Sequence, residues 1–376
     1  QRSGAAVRDL GRARLLREKG AVGLITIINR EREDALAGKN LSFEPGQRLK
    51  FPDIDAADPT PPSAASQAEP PFINSIEVRH EEGRALLGVT ETELAGLFEA
   101  LEKKRTVGPK DLPGRTCDIA VLFDVRETST PNVVAVLPGR DAKLRNEYVA
   151  IGSHHDHNPP RDGRVFPGAD DNGSGAVAML AIAKALMVER PKRSVIFVWH
   201  TAEERGLIGA YYFVQHCPVP VEKISANLNL DMITRNDPDG IYLIGSNKLS
   251  TELDRSIRSM NAKHIGLKLD YEYEDPRHAD RFFFRSDQYP YIRYGIPGVW
   301  FFCGTTEDYH RETDVEEKAD YRKMTRVTKL VYLVAMDIGN GPGLLKLDIH
   351  PEVTARGAHN MKVAWLTSPA APKPNK

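Results

Sequence analysis

The amino-acid sequence predicts an α/β fold: a mixed, mostly parallel central sheet with helices on both faces, plus a smaller α/β unit at the N-terminus. Strand-like apolar segments alternate with helical patterns from about Asp118 onward, which is typical of such sheets. Polar residues of ligand type follow several of these strands, at the sheet edge where α/β proteins bind ligands. The length of 376 residues is enough for one large domain and a smaller one.

The N-terminal region, residues 1–95, is predicted to form the smaller unit. A helical pattern leads to a turn at Gly20 and then to a buried strand from Ala21 to Ile28. The stretch 53–71 is rich in Pro, Ala and Ser and has no periodicity, so we predict a loop or linker there. Strand and helix patterns return in "INSIEVRHEEGRALLG" and "TETELAGLFEALEKK".

The larger unit, residues 96–345, contains the main series of strands and helices, and residues 346–376 are predicted to be a C-terminal tail. Its strands are predicted in "DIAVLFDV", "PNVVAVLPG", "EYVAIGSHHDH", "SVIFVWHTAEE", "SANLNLDMI", "GIYLIGS", "LKLDYEYE" and "GVWFFC". Its helices are predicted in "GSGAVAMLAIAKALMVER", "GLIGAYYFVQHC" and "LSTELDRSIRSMNAKH", and over about residues 321–338.

Composition and charge argue against several classes of protein. The formal net charge of −1 gives no indication of a nucleic-acid partner, and no apolar run reaches the length of a membrane span. The cysteines Cys117, Cys217 and Cys303 lie far apart, so we expect no disulfide. Gln1 is not an initiator Met, and the lack of an apolar signal segment therefore says little about location.

Histidines are concentrated in the segment "GSHHDHN", residues 152–158, which holds three of the 11 histidines of the chain. By itself, this cluster fits a polar loop as well as a metal site. However, His154, the pair Glu203 and Glu204, and Asp231 all lie at or near the ends of different predicted strands. Such strand ends converge on one edge of a parallel sheet. The alternative interpretation is that these polar residues only mark the ends of the strands. It does not readily explain why each of the three strand ends carries a residue type that binds metal.

Five segments contribute the potential ligands of this edge: "SHHDH", "GADDNGSG", "HTAEERG", "NLDM" and "DYHRETD". In order, they supply His, Asp, Glu, Asp and His. Two histidines with three or more carboxylates suit a divalent ion such as zinc, or two ions if one carboxylate bridges them. The adjacent acids Glu203 and Glu204 make chemical sense if one binds metal and the other acts as a base.

From about residue 132 to residue 320, these motifs resemble those of the co-catalytic two-zinc aminopeptidases. Relatives in this family include secreted bacterial leucyl aminopeptidases, glutamate carboxypeptidase, glutaminyl cyclase and the transferrin receptor. The resemblance implies a zinc exopeptidase-like fold and two zinc ions per chain, with one carboxylate shared between them. The implied ligands are His154, Asp170 and Asp231 for the first ion, and Asp170, Glu204 and His310 for the second.

The resemblance also implies roles for residues beside the ligands. Glu203 matches the general base of the family, and Asp156 matches a residue that orients the first histidine ligand. Tyr309 either packs against its neighbours or hydrogen-bonds the carbonyl oxygen of the substrate, and we assign it the second role. A cis peptide bond is implied between Asp170 and Asp171.

Other residues of the motifs are not expected to bind metal, or they depart from the family pattern. His155 and His157 are expected not to be ligands. Gln288 stands where relatives often have His, and Arg311 stands where a small Thr is usual. Both departures lie near the expected substrate pocket, so the substrate preference of the family cannot be carried over.

The activity that the resemblance implies is that of a metal-dependent exopeptidase acting on peptides with a free N-terminus, in a secreted or periplasmic protein. Residues 1–95 resemble a partial protease-associated domain in "REKGAVGLITI" and "PFINSIEVRHEEGRALL".

Three alternatives stay open at this stage. A dipeptide or glutamate-type carboxypeptidase would need an Arg cluster for the substrate carboxylate, and Arg281, Arg285 and Arg293 are candidates. A glutaminyl cyclase would use one zinc ion, and the presence of both His154 and the Asp170 bridge argues against it. A non-catalytic, receptor-like relative would be expected to lose ligands, and none of the motifs is lost here.

Overall fold

The computed structural model describes most of the larger unit and part of the smaller one. The described residues are 16, 19–30, 74–103, 111–114, 116, 128–160, 163–276 and 278–349. They fall into two compact units, one that ends before Thr128 and one that contains Thr128 and the described residues after it. The predicted strand "DIAVLFDV", the loop at 53–71 and residues 350–376 of the tail lie outside the described residues.

The described part of the smaller unit includes a pair of parallel strands and two helices that follow the second strand. These elements are β1 (Gly23–Ile27), β2 (Asn74–Val78), α1 (His80–Leu87) and α2 (Glu91–Glu102). Helix α2 begins with a capping box, in which the Thr90 hydroxyl accepts from the Glu93 backbone N–H and the Glu93 carboxylate accepts from the Thr90 N–H. Because α2 runs through residues 95 and 96, the unit does not end at the predicted boundary; the division falls between residues 116 and 128.

The larger unit is built on a sheet of seven strands among its described residues. Its strands are β3 (Val133–Leu137), β4 (Tyr148–His154), β5 (Ser194–His200), β6 (Ile224–Leu230), β7 (Gly240–Ile244), β8 (Lys268–Asp270) and β9 (Gly298–Phe302). Their order across the sheet is β3-β5-β4-β6-β9-β7-β8. Strands β5, β4, β6 and β9 are parallel neighbours, as are β7 and β8, whereas the β3–β5 and β7–β9 pairs are antiparallel. The predicted mixed, mostly parallel sheet is confirmed.

Five α-helices accompany these strands in the described part of the unit. They are α3 (Gly175–Val188), α4 (Ile208–Gln215), α5 (Thr251–Met260), α6 (Gln288–Arg293) and α7 (Tyr321–Asn340). Side chains cap two of them at the N-terminus: Ser250 accepts from the N–H of Leu253 in α5, and Asp320 accepts from that of Lys323 in α7. None of the described helices combines the length and the apolar character that a bilayer span would need.

The two faces of the sheet bury different sets of apolar side chains. Val149 and Ile151 of β4 belong to the cluster that contains the buried residues of α3 and α7. Ala150, which lies between them in sequence, belongs to a cluster with Phe213 of α4. Successive residues of a strand point to opposite faces, so helices cover the sheet on both sides, as predicted.

The carboxyl ends of β4, β5 and β6 lie at one edge of the sheet because these three strands are parallel neighbours. His154 is the last residue of β4 and is aligned with His200, the last residue of β5. Asp231 follows directly after β6, and Glu203 begins a short 3₁₀ turn shortly after β5. The fold therefore brings together side chains that are far apart in sequence, at the edge where ligand sites form in α/β proteins.

Candidate metal centre

The first group of potential ligands surrounds the imidazole of His154, whose side chain is 1% exposed. Its Nε2 atom lies 3.3 Å from Asp171 Oδ1 and 3.4 Å from Asp231 Oδ1. Glu203 Oε2 lies slightly farther away, at 3.9 Å from the same nitrogen. A histidine and three carboxylates from four different chain segments therefore meet at the carboxyl edge of the sheet.

The second group surrounds His310, which has a positive φ of 58°. Its Nε2 atom lies 3.0 Å from Asp171 Oδ2 and 3.0 Å from Glu204 Oε2. Asp171 thus belongs to both groups, with Oδ1 directed to His154 and Oδ2 directed to His310. This is the arrangement expected of a carboxylate shared by two cations.

The hydrogen-bonding pattern of the first group fits a bound cation. His154 Nε2 and Asp231 Oδ1 are both buried, and neither makes a hydrogen bond to another described residue. Buried polar atoms without a partner are unfavourable, and a divalent cation between them would satisfy both. Imidazole nitrogens with carboxylate oxygens form a donor set that suits zinc. Zinc as the ion of this centre is therefore consistent with the residues that the structure brings together.

The structure does not place Asp170 between the two imidazoles, contrary to the sequence-based expectation. Its Oδ1 atom accepts hydrogen bonds from the Thr234 backbone N–H at 2.8 Å and the Thr234 hydroxyl at 2.7 Å. Its Oδ2 atom lies 3.4 Å from the Cys303 sulfur. The Asp170 carboxylate therefore faces Thr234 and Cys303, and the neighbouring Asp171 occupies the predicted bridging position.

The backbone of this turn also differs from the expectation. The cis peptide bond joins Asp171 and Asn172, not Asp170 and Asp171. The Asp314 carboxylate accepts the backbone N–H groups of both aspartates at 3.1 Å. The Asn172 side chain bonds to Ser153 and to the Leu230 carbonyl group, which ties the turn to the ends of β4 and β6.

Asp156 supports the centre in a different way from the one predicted. Its carboxylate accepts the backbone N–H of Glu203 at 3.0 Å and that of Glu204 at 3.3 Å, so it fixes the turn that carries both acids. The Nδ1 atom of His154 is 3.0 Å from the backbone carbonyl oxygen of Asp156 and 3.7 Å from its carboxylate. The main chain of Asp156 thus orients the His154 ring, and its side chain orients the two glutamates.

Burial and the mutual contacts shift the pKa values of these groups. Burial alone would lower the pKa of His154, but the carboxylates of Asp231 and Glu203 outweigh it and raise the pKa well above its ordinary value. Burial would likewise lower the pKa of His310, but its hydrogen bonds to Asp171 and Glu204 outweigh this effect and raise the pKa to about 9. Both imidazoles therefore hold a positive charge when no metal ion is bound.

The acids of the centre have pKa values shifted in opposite directions. Burial raises the pKa of Glu203 well above its ordinary value, and it also raises the pKa of Asp231. For Asp171, the contacts with the His154 and His310 imidazoles outweigh burial and lower the pKa. The environment thus favours an ionised carboxylate at Asp171 and a carboxyl with high proton affinity at Glu203.

An aromatic cavity opens beside the two groups. Its lining residues are Asp171, Glu203, Asp231, Met232, Phe282, Arg285, Trp300, Phe302, Thr305, Tyr309 and His310. The ring of Tyr309 stacks on that of His310, with 3.8 Å between the ring centroids. Tyr309 therefore packs against a potential ligand and also lines the cavity, so its position is compatible with both of the roles considered from the sequence.

The three candidate arginines have different environments. Arg285 lines the cavity, and its guanidinium lies 4.9 Å from the centroid of the Phe282 ring. Arg281 lies over Phe284, and Arg293 lies over Tyr211; neither is among the cavity-lining residues.

The two positions that depart from the family pattern differ in exposure. Gln288 is buried and donates to the Phe283 backbone carbonyl, so it is a packing residue of α6. Arg311 is exposed.

Two further residues at the centre were not predicted as functional. The Ser286 hydroxyl donates to Asp231 Oδ2 at 2.5 Å and fixes the orientation of this carboxylate. His157 lies with its Nδ1 atom 2.8 Å from Glu204 Oε1. In the sequence, these two residues are part of recognisable motifs: Ser286 in "RSDQYPYIRYGIP" and His157 in "GSHHDHN". The motifs do not indicate which way a side chain points, so the contacts of these residues could not be predicted.

An α/β sheet with buried imidazoles and carboxylates at its carboxyl edge is of the kind found in metal-dependent hydrolases. Residues 132–335 match the sequence model of peptidase family M28, and the chain belongs to this family.

Two curated relatives carry aminopeptidase names. The chain is 36% identical over 179 residues to a probable leucine aminopeptidase 2 of Aspergillus oryzae, a match that covers 47% of this chain and 34% of that protein. It is 30% identical over 198 residues to leucine aminopeptidase 2 of Trichophyton equinum, covering 50% of this chain and 36% of that protein. The match thus spans about a third of the length of these relatives.

A solved structure has a similar fold. This is an aminopeptidase from Aneurinibacillus sp. strain AM-1, with a TM-score of 0.50 and 22% sequence identity. The similarity covers 75% of this chain and 61% of that chain. At this identity, the comparison supports the fold alone.

Proposed function

We propose that the larger unit is an aminopeptidase that uses two zinc ions to hydrolyse the peptide bond after the N-terminal residue of its substrate. The position of Asp171 supports this most, because its two oxygens lie 3.3 Å and 3.0 Å from the His154 and His310 nitrogens. His154, Asp171 and Asp231 would hold one ion, and Asp171, Glu204 and His310 the other. When bound, such ions lower the pKa of a water molecule and polarise a carbonyl group.

Glu203 is the proposed general base. Its carboxyl is buried with a raised pKa, and the Asp156 carboxylate fixes its backbone N–H. A carboxylate with a raised pKa takes a proton from the attacking water readily and returns it to the leaving amine. Burial thus prepares Glu203 for proton transfer, while its neighbour Glu204 contacts the His310 imidazole.

The aromatic cavity is the proposed site of the N-terminal residue. The rings of Phe282, Trp300 and Phe302 would accept an apolar side chain, which agrees with the names of the leucine aminopeptidase relatives. The carboxylates at the cavity favour a positively charged α-amine over a blocked one. The Tyr309 hydroxyl would donate a hydrogen bond to the substrate carbonyl oxygen.

A carboxypeptidase is the second candidate, and one observation favours it. Arg285 places a guanidinium at the same cavity, where it could bind the carboxylate of a substrate. An aminopeptidase would need no such contact, so the two candidates predict opposite responses to blocking the two ends of a substrate.

The activity is tested by comparing Leu-, Ala- and Lys-anilides with their N-acetylated forms, together with N-blocked dipeptides that have a free C-terminus. The aminopeptidase proposal predicts cleavage of the free-amine anilides alone. Equal cleavage of the acetylated anilides would contradict it, and cleavage of the blocked dipeptides alone would favour the carboxypeptidase. His155→Ala serves as the matched control and should keep wild-type cleavage, because His155 is exposed and contacts the Pro131 carbonyl instead of the centre.

A secreted or periplasmic location is also proposed, because the family resemblance includes secreted bacterial enzymes. Fractionation of the producing cells with a cytoplasmic marker enzyme would test this proposal. Recovery of the protein with the marker would contradict it.

A further inference from the structure

We propose that His157 is an additional protein ligand of the ion held by Asp171, Glu204 and His310. This inference rests on the proposed two-metal centre. His157 lies three residues after the end of β4, and its side chain is only 11% exposed. Its Nδ1 atom lies 2.8 Å from Glu204 Oε1, whereas His310 Nε2 lies 3.0 Å from Glu204 Oε2. The two imidazoles thus approach the two oxygens of the same carboxylate.

The contact between His157 and Glu204 is short, yet it does not have the geometry of a hydrogen bond. Both ring nitrogens of His157 are buried, and neither makes a hydrogen bond to any other described residue. A buried ring nitrogen without a hydrogen bond is unfavourable, and a cation shared with the nearby carboxylate oxygen would satisfy it. One His157 nitrogen and one carboxylate oxygen each of Asp171 and Glu204 also lie within 4.8 Å of one another.

Neighbouring residues lie close to the His157 ring on the side of the main chain and on the side of His310. Gly168 has a positive φ of 61°, and a Cβ atom added to it would lie 2.8 Å from His157 Cγ. The His310 ring meets the His157 ring edge to face at 5.7 Å between the ring centroids. A side chain at residue 168 would therefore displace the His157 ring, and glycine at this position leaves room for it.

A purely structural role for His157 would be to hold Glu204 by a hydrogen bond. That role is already filled in part, because the Asn158 amide donates to the same Glu204 Oε1 atom at 3.4 Å. With His157 included, the second ion would have four protein donors, and the first would keep three. Because more donors hold an ion more tightly, the second site should fill before the first when metal is added to the metal-free protein.

The experiment uses the full chain, made metal-free and titrated with Co²⁺ by calorimetry and visible absorption. The decisive variant is His157→Asn, because an amide nitrogen in the position of Nδ1 could fill a purely structural role by donating a hydrogen bond to Glu204 but is a poor metal ligand. His155→Ala is the matched control, since His155 is exposed and its Nε2 contacts the Pro131 carbonyl instead of the centre. Circular dichroism would confirm that each variant is folded.

The proposal predicts two bound Co²⁺ ions in the wild-type protein and in His155→Ala. In His157→Asn, we expect the Co²⁺ affinity of the site at Glu204 and His310 to fall by at least about 100-fold. Even the loss of a residue outside the ligand set costs about 10–100-fold in metal affinity, and the loss of a ligand should cost more. The Co²⁺ absorption of this variant should change as well. Wild-type affinity and absorption in His157→Asn would overturn the role of His157 and leave the two-metal centre standing. A wild-type protein that binds fewer than two ions would overturn the proposed centre itself, and the role of His157 with it.

Discussion

Replacing Asp171 by Asn, with Asp170→Asn as the matched control, separates two adjacent acids that the sequence cannot distinguish. The Asp171 carboxylate reaches both imidazoles, at 3.3 Å from His154 and 3.0 Å from His310. The Asp170 carboxylate accepts two hydrogen bonds from Thr234. We therefore expect Asp171→Asn to lose both metal ions and Asp170→Asn to keep them.

The expected loss of affinity follows from the charge that Asp171 contributes. The two imidazoles lower its pKa, so the carboxylate is ionised at neutral pH and its replacement by an amide removes a full negative charge. Removing one member of a buried set of charges typically costs about 3–5 kcal/mol. Since about 1.4 kcal/mol is a factor of ten in binding, the affinity for each ion should fall by a factor of about 10² to about 4 × 10³.

The control should behave in the opposite way. The amide oxygen of Asp170→Asn can still accept both hydrogen bonds from Thr234, so we expect a loss of about 1 kcal/mol in the free energy of unfolding and no loss of metal. Metal content after equilibration in a zinc buffer and urea-induced unfolding measure the two effects. The reasoning would be refuted if Asp170→Asn lost both ions while Asp171→Asn retained them.

Three further predictions concern the neighbouring acids and the effect of pH. Glu203→Gln should retain both ions and lose turnover by about 10²–10⁴, whereas Glu204→Gln should lose the ion at His310; similar, mild effects in both variants would contradict these assignments. Metal binding should release protons at pH 7, because the pKa of His310 is raised to about 9 in the metal-free protein. Turnover should fall as the pH drops through about 6, because protons compete with the metal for the imidazoles. Undiminished turnover at about pH 4.5 would contradict this pH dependence. Glu274 is fully buried, and burial raises its pKa from 4.5 to about 8. The stability that it contributes is therefore complete below pH 4.5 and is lost as the pH rises to 8, by about 1.4 kcal/mol per pH unit. Glu274→Gln should flatten the pH dependence of urea unfolding in that range, and an unchanged curve would contradict this prediction.

The sequence predicts most of the larger unit because its strands and helices have strong periodicity. The end of β4 at His154, the acids after β5 and Asp231 after β6 all lie where the pattern of apolar runs indicates. Parallel strands bring their carboxyl ends together, so the convergence of these residues could be inferred from the strand pattern and the sheet type. The six-residue helix α6 was not predicted as a helix, since Pro290 interrupts its pattern and few residues carry the periodicity.

The sequence could not determine the directions of side chains within turns. Asp170 and Asp171 have the same chemistry and adjacent positions, and only the hydrogen bonds to Thr234 and Asp314 decide which carboxylate faces the imidazoles. The position of the His157 ring depends in the same way on its edge-to-face contact with His310, which lies in a distant part of the sequence. Such contacts have no signature in local periodicity.

The most direct test of the central claim is a crystal of the wild-type protein grown with Zn²⁺ and measured at the zinc absorption edge. The proposed centre predicts two anomalous peaks, one beside His154 and Asp231 and the other beside Glu204 and His310, with the Asp171 carboxylate between them. A single peak, or two peaks that share Asp170 instead of Asp171, would contradict it.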